Sequence, residues 1–368
     1  MRVVLTTDTL GGVWTYTREL VSELVRRGVH VTLVSFGNIP DAIQCSWMDG
    51  LKGLDFRPTA FKLEWMRDSE EDLTASADYL LSIVREVEPD LIHLNQFYYG
   101  ALKCDVPKLV VAHSDVVSWW VAVHGYEPRP DDWTNWYREV VSRGLSGATM
   151  VSAPSRWMLD QIILHYGRPA STAVVYNGRN PKLLNPHLTK ELAVLSVGRL
   201  WDAGKNVALL TKFEPPIPIY IVGSEHHPDR GRDTGISAAG WNRIRMKGPQ
   251  SEQQLRELFA QTAIYAATSR YEPFGLAPLE AALSRCAIIA NDIPTFREIW
   301  GDSALYFRGN DAESLHEQIV SLSADSELRT SYADKAYARA CQRFISERMV
   351  EDYLNLYEIL TPAGVLTG

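Results

Sequence analysis

Residues 263–282 read AIYAATSRYEPFGLAPLEAA. An apolar run, Ala263 to Ala267, has the length of a buried strand, and an Ala/Leu-rich stretch from Leu276 has the composition of a helix. Pro278 suits the first turn of that helix, where a missing N–H costs nothing. Gly275 allows backbone amides to approach a ligand, and the helix N-terminus offers free N–H groups to an anion. Two carboxylates, Glu272 in the loop and Glu280 in the helix, bracket this anion site. Carboxylates beside a phosphate site suit hydroxyl groups, from which they accept hydrogen bonds. The plainer alternative is a loop acid plus a helix acid answering the macrodipole. The coincidence of Phe274-Gly275 with paired acids at a strand–loop–helix junction favours the ligand reading.

The same alternation runs outward in both directions. Residues 2–7, 29–36, 90–95, 108–113, 148–152 and 173–176 read as strands, with helices after Gly12 and over 70–88 and 155–166. An Asn/Pro/Lys-rich stretch, 177–190, reads as a linker. Strands then recur at 192–197, 217–222, 263–267 and 287–290, with helices near 205–212, 251–260, 277–284, 311–323, 326–343 and 346–360. Alternating strands and helices predict an α/β protein of two Rossmann-like, doubly wound domains facing a central cleft. The expected division is 1–183 and 184–344, with 345–368 crossing back to the first domain. Ligands in such sheets bind beyond the carboxyl ends of the strands.

At those ends lie two further constellations. Val197-Gly198-Arg199-Leu200 leads to Lys205-Asn206 after a strand, and Arg199 and Lys205 suit a diphosphate, the first as a fork and the second as a point charge. A solvated pair beside a Gly turn is the competing explanation. The Gly11-Gly12 loop lacks the GxGxxG spacing, so it argues for close approach of a sugar or phosphate rather than for a dinucleotide.

Composition narrows the classes. The chain has 368 residues, 46% hydrophobic and 22% charged, with 37 Lys+Arg against 45 Asp+Glu and a net charge of -8. Up to residue 180 there are 17 basic and 22 acidic residues, and beyond it 20 and 23, so neither half is basic. This does not suit a protein held mainly to nucleic acid or to an anionic membrane surface, and leaves room only for a local basic patch. No apolar run reaches a membrane span, and the start turns polar too early for a signal peptide, so the cytoplasm is the expected location. Four scattered cysteines without a CxxC pair read as small buried hydrophobes.

With these motifs in place, the chain resembles the GT-B-fold retaining glycosyltransferases of family 4 (glycosyl transferases group 1). The likeness spans the Gly11-Gly12 loop, His113-Ser-Asp115, Asn177-Gly178, Gly198-Arg199-Leu200 with Lys205, the Glu272/Glu280 pair, and a terminal segment from Phe344 to Tyr357. It implies a nucleotide-diphosphate sugar as donor substrate, a hydroxyl-bearing acceptor and no cofactor. It also implies that Arg199 and Lys205 hold the diphosphate and that Glu272 contacts the transferred sugar beside the amides of Phe274, Gly275 and Leu276. Glu280 would hold the ribose, Gly12 would border the diphosphate, and His113 would lie near the sugar. Met246 falls in the segment that lines the base pocket in such enzymes. Asn206 stands where Gly is common, and Asn95 where a second His is frequent. No Asp-x-Asp occurs, so no metal is expected and leaving-group charge falls to Arg199, Lys205 and a helix N-terminus. The rivals are a sugar phosphorylase of the same architecture and an inert sugar-nucleotide-binding module.

Trp14, Asn95, Asp115 and Trp119 are acceptor-side candidates. Core packing competes for the tryptophans, and helix capping competes for Asp115. The run 124–132, with His124, Glu127, Asp131 and Asp132, reads as an acceptor lid or as solvated charge. His226, His227, Asp229 and Asp233 are more economically a solvated loop than a metal site.

Overall fold

The computed structural model describes residues 1–9, 11–227, 231–232 and 242–361; Asp229 and Asp233 lie outside them. Two units emerge from the chain's contacts: 1–121, 126–178 and 346–368 in the first, and 122–125 with 179–345 in the second. The division therefore falls at Gly178/Arg179 and Ile345/Ser346.

The first unit runs β1 (Arg2–Asp8), α1 (Gly12–Arg26), β2 (His30–Phe36), α2 (Ala42–Cys45), β3 (Leu54–Pro58), α3 (Glu70–Val87) and β4 (Leu91–Leu94). It continues with β5 (Lys108–Val111), α4 (Val116–His124), α5 (Asp132–Gly147), β6 (Met150–Ala153), α6 (Arg156–Tyr166) and β7 (Thr172–Val174). All seven strands are parallel, in the order β3-β2-β1-β4-β5-β6-β7. Strands covered on both faces read as apolar runs, and β1 is buried from Val3 to Asp8. Helix α1 presents Leu20, Val21, Leu24 and Val25 to the sheet, at the spacing of one helical face. Each such buried aliphatic side chain contributes about 1.5–3 kcal/mol.

The second unit comprises β8 (Glu191–Val197), β9 (Ile219–Val222), the two-residue strands β10 (His226–His227) and β11 (Gly231–Arg232), β12 (Ile244–Gly248) and α7 (Glu252–Gln261). Then come β13 (Thr262–Ala267), α8 (Leu276–Leu283), β14 (Ala287–Asn291), α9 (Pro294–Trp300), β15 (Leu305–Phe307), α10 (Ala312–Ala324) and α11 (Ser326–Arg343). Its parallel sheet has the order β12-β9-β8-β13-β14-β15. The last helix, α12 (Ser346–Leu360), belongs to the first unit and packs Met349, Val350, Tyr353, Tyr357 and Leu360 into its core. At the two ends of the second unit's main segment, Arg179 bridges Ile345, and its N–H donates to the Phe344 carbonyl at 3.1 Å.

Each sheet reverses its strand order once, at β1/β4 in the first unit and at β8/β13 in the second. At such a reversal the connections on either side leave in opposite directions, which opens a crevice at the strands' carboxyl ends. The Gly11-Gly12 loop and Asn95 follow β1 and β4, whereas Gly198-Arg199 and Ser269–Gly275 follow β8 and β13.

One predicted helix is corrected. Residues 205–212 form only a short 3-10 turn, Val207–Thr211, because Asn206 adopts φ 50° and breaks the α-helical path. That left-handed conformation explains the residue type: Asn tolerates it better than other residues with a side chain.

Candidate functional site

In the second unit the loops after β8 and β13 are sewn together. The N–H groups of Arg270 and Tyr271 donate to the Gly204 carbonyl at 2.8 and 3.3 Å, and Thr268 Oγ1 donates to the Lys205 carbonyl at 2.8 Å. Gly223, at the tip of β9, lies against Gly198; a Cβ there would stand 1.7 Å from the Gly198 oxygen, so only glycine permits this approach. These ties bring Lys205 onto Glu272, with Nζ 2.7 Å from Oε2, and Ser269 Oγ donates to the same oxygen at 3.0 Å. An ammonium carries three donors, so pairing with Glu272 leaves Lys205 two for another anion.

Arg199 is half exposed and lies over the Trp201 ring at 5.1 Å. Its NH2 donates to Asp202 Oδ2 at 2.7 Å, while Asp202 Oδ1 accepts from the Gly204 N–H at 2.9 Å. Asp202, which the sequence reading passed over, thus fixes the loop and one edge of the guanidinium. Its signal was an acid three residues beyond Arg199.

Gly275 caps α8 at φ 96°, a conformation that glycine adopts without strain, and no side chain closes the helix N-terminus that begins at Leu276. Phe274 is buried edge-on against Phe344, centroids 5.5 Å apart, and anchors the loop beneath that terminus. Glu280 lies within α8 and meets the buried Arg179, Nε to Oε1 2.8 Å. Met246 is half-buried on β12 and packs against the core of this unit. Among the described residues no three His, Cys, Asp or Glu side chains gather as a cation site.

In the first unit, Gly11 (φ 100°) and the exposed Gly12 open α1 with no side-chain cap and no acid in the first turn, so this N-terminus too is unblocked. His113 follows β5. Its Nε2 donates to Asn95 Oδ1 at 2.8 Å, because the Asn95 amide spends an N–H on the Thr6 carbonyl at 2.6 Å and presents its oxygen to the ring. Burial pushes His113 down to about 3, so the ring is neutral, and its Nδ1 keeps a lone pair. Asn95 is itself buried and acts here on His113 rather than as an open polar lining. Behind them, buried His93 joins Tyr16 OH (3.2 Å) and Tyr357 OH (2.7 Å), and the Tyr16 ring stands edge-on to His113 at 4.5 Å.

Two acceptor-side candidates have the structural partners that competed with that reading. Trp14 is buried against Trp47 and Phe56, at 6.0 and 6.2 Å, as core packing demands of a residue on the inner face of α1. Asp115 caps α4, accepting from the N–H groups of Val117 and Ser118 at 2.9 Å, and also takes the Tyr166 hydroxyl at 2.8 Å. These bonds occupy a carboxylate that is 3% exposed. Trp119 stays half-buried on α4, edge-on to Trp120. In the suspected lid, Glu127 pairs with Arg138 and His165, and Asp131 caps α5.

Against known proteins, residues 10–183 match the model of Glycosyltransferase Family 4, and residues 185–339 that of Glycosyl transferases group 1. The alpha-maltose-1-phosphate synthase of Mycolicibacterium smegmatis is 24% identical over 97% of this chain and 99% of its own length. Other curated relatives are matched over less of their length, from 26% to 67%. Among solved structures, a sucrose-phosphate synthase from Thermosynechococcus elongatus superposes with TM-score 0.79 at 20% identity, over 98% of this chain and 99% of that one. Anabaena Alr3699/HepE in complex with UDP-glucose gives 0.74 at 17%, over 98% and 100%.

Proposed function

We propose that this chain, which belongs to the GT-B-fold glycosyltransferases related to family 4 and group 1 and acts on a nucleoside-diphosphate sugar, moves a hexose to a hydroxyl acceptor with retention and without a metal. The observation that carries the reading is the convergence of Arg199, Lys205, Glu272 and the open N-terminus of α8 at the strand-order reversal of the second sheet. Cations and a helix terminus at one place answer a diphosphate, and a carboxylate between them answers hydroxyl groups.

In this mechanism Lys205 keeps its bond to Glu272 and turns its remaining N–H groups to the diphosphate, while Arg199 offers the donors not spent on Asp202. Charge grows on the leaving diphosphate as the sugar C1–O bond breaks, and these fixed donors stabilise it without reorganising. The acceptor oxygen attacks C1 on the face that the diphosphate leaves, and its proton passes to a phosphate oxygen. Glu272 orients the sugar and Glu280 holds the ribose. The HepE complex with UDP-glucose supports a hexose donor.

Thermal unfolding in the presence of UDP, GDP or ADP tests this. One nucleotide at 100 times its dissociation constant should stabilise the protein by about 2.7 kcal/mol. Slow hydrolysis of the corresponding sugar nucleotide should be lost in Glu272→Ala. Stabilisation by none of them, with phosphate-dependent cleavage of a disaccharide, would instead indicate a phosphorylase. Binding without turnover would indicate an inert module.

A further inference from the structure

Arg179 follows Asn177-Gly178 and is 2% exposed, although its guanidinium cannot shed its charge. A charge buried this deeply needs a partner. Its Nε lies 2.8 Å from Glu280 Oε1, and NH2 lies 3.4 Å from Glu252 Oε1. The contact with Glu280 is an ion pair of a fixed cation with a carboxylate. Glu252, at the start of α7, is 39% exposed and also engages Arg256. Glu280 is 15% exposed, so of the two acids it is the one whose orientation the buried cation controls more firmly. The arginine cannot easily follow a moving partner, because its backbone is held to Phe344 and Ile345. Rotating Glu280 away would therefore cost its attraction to a buried guanidinium that stays in place. A carboxylate has about four acceptor sites, so one oxygen can rest on Arg179 while capacity remains for a diol.

We propose that Arg179 is the positioning residue for the Glu280 carboxylate and thereby sets the enzyme's discrimination in favour of a ribose diol on its nucleotide. This rests on the reading of Glu280 as the ribose acid. Lysine would keep the charge but lose the planar fork and its reach, and glutamine would lose the charge.

The test is calorimetric. UDP, GDP and ADP are compared on the wild-type protein, and the tightest is titrated beside its 2′-deoxy and 3′-deoxy forms. Wild type should prefer the ribonucleotide by about 10- to 100-fold, the range for a hydrogen bond to a charged group. Glu280→Gln should reduce that preference to within about threefold of unity. Arg179→Lys and Arg179→Gln should lose most of it too, while binding the deoxy forms nearly as wild type does. A merely structural arginine would weaken all three ligands equally and leave the ratio intact. If Glu280→Gln loses the preference and both Arg179 variants keep it, the proposal fails. If Glu280→Gln keeps it, the ribose reading itself fails. If neither Arg179 variant folds, Arg179 is a structural cation and the proposal is overturned.

Discussion

Lys205 and Glu272 were assigned to different parts of the donor on sequence alone, yet they meet at 2.7 Å. The two readings are compatible because an ammonium can hold a carboxylate and a phosphate together. The motif residues were legible because a strand, a Gly turn and a helix start announce where a ligand can sit. Their partners were less so: Asp202 stands three residues beyond Arg199, but Arg179 and Tyr357 act through long-range contacts that spacing does not encode. Titration gives this scale its prediction. Burial pushes His93 and His113 down to about 3, from about 6.5 in an unfolded chain. Each binds a proton more readily when unfolded, so the stability it contributes is complete above pH ~6.5 and is lost as pH falls toward 3. Glu64 has the opposite sign. Burial raises it to about 7 against the pull of the Phe97 and Tyr98 N–H groups, so its contribution is complete below pH ~4.5 and fades as pH rises through 7. The two kinds oppose each other between about pH 4.5 and 6.5, and below that the histidines act without Glu64. Urea unfolding should show stability falling on acidification from pH 4.5. In His113→Gln the loss should be shallower by one proton, about 1.4 kcal/mol per pH unit. An unchanged slope would mean that His113 is not held neutral.

Helix α12 shows what a distant element gives to a site. Its Tyr357 reaches the buried His93, which bonds Tyr16 beside His113. Tyr357→Phe keeps the ring and removes the bond to Nδ1, which should cost about 1 kcal/mol. For a unit of this size that is a fall of about 2–4 °C in Tm; no change would show that the bond carries no net stability. The alternation of strands and helices was readable because parallel strands buried on both faces are apolar throughout. Other pieces escaped: β3 is too mixed in composition and β15 too brief to stand out, and β12 alternates exposed Arg245 and Lys247 with its inner residues. Helix α5 carried a signal in the spacing of Tyr137, Val140, Val141, Gly144 and Leu145. The charged, Pro-containing run before it drew attention to a lid instead.

For the molecule as a whole, the two strand-order reversals organise the account, since each gathers the motif residues of its own sheet. The acidic balance does not suit a protein held mainly to nucleic acid, and no helix among the described residues is long and apolar enough to cross a membrane. The chemistry comes down to whether two side-chain cations and a helix terminus can carry the leaving diphosphate. The most direct measurement is nucleoside-diphosphate release from the donor sugar nucleotide, in excess EDTA, by wild type and by Lys205→Ala. The account predicts that EDTA leaves the wild-type rate within about twofold, while the variant falls by at least about 100-fold, the loss typical of removing one preorganised donor. Release that stops in EDTA and returns with a divalent cation, or a variant as fast as wild type, would contradict it.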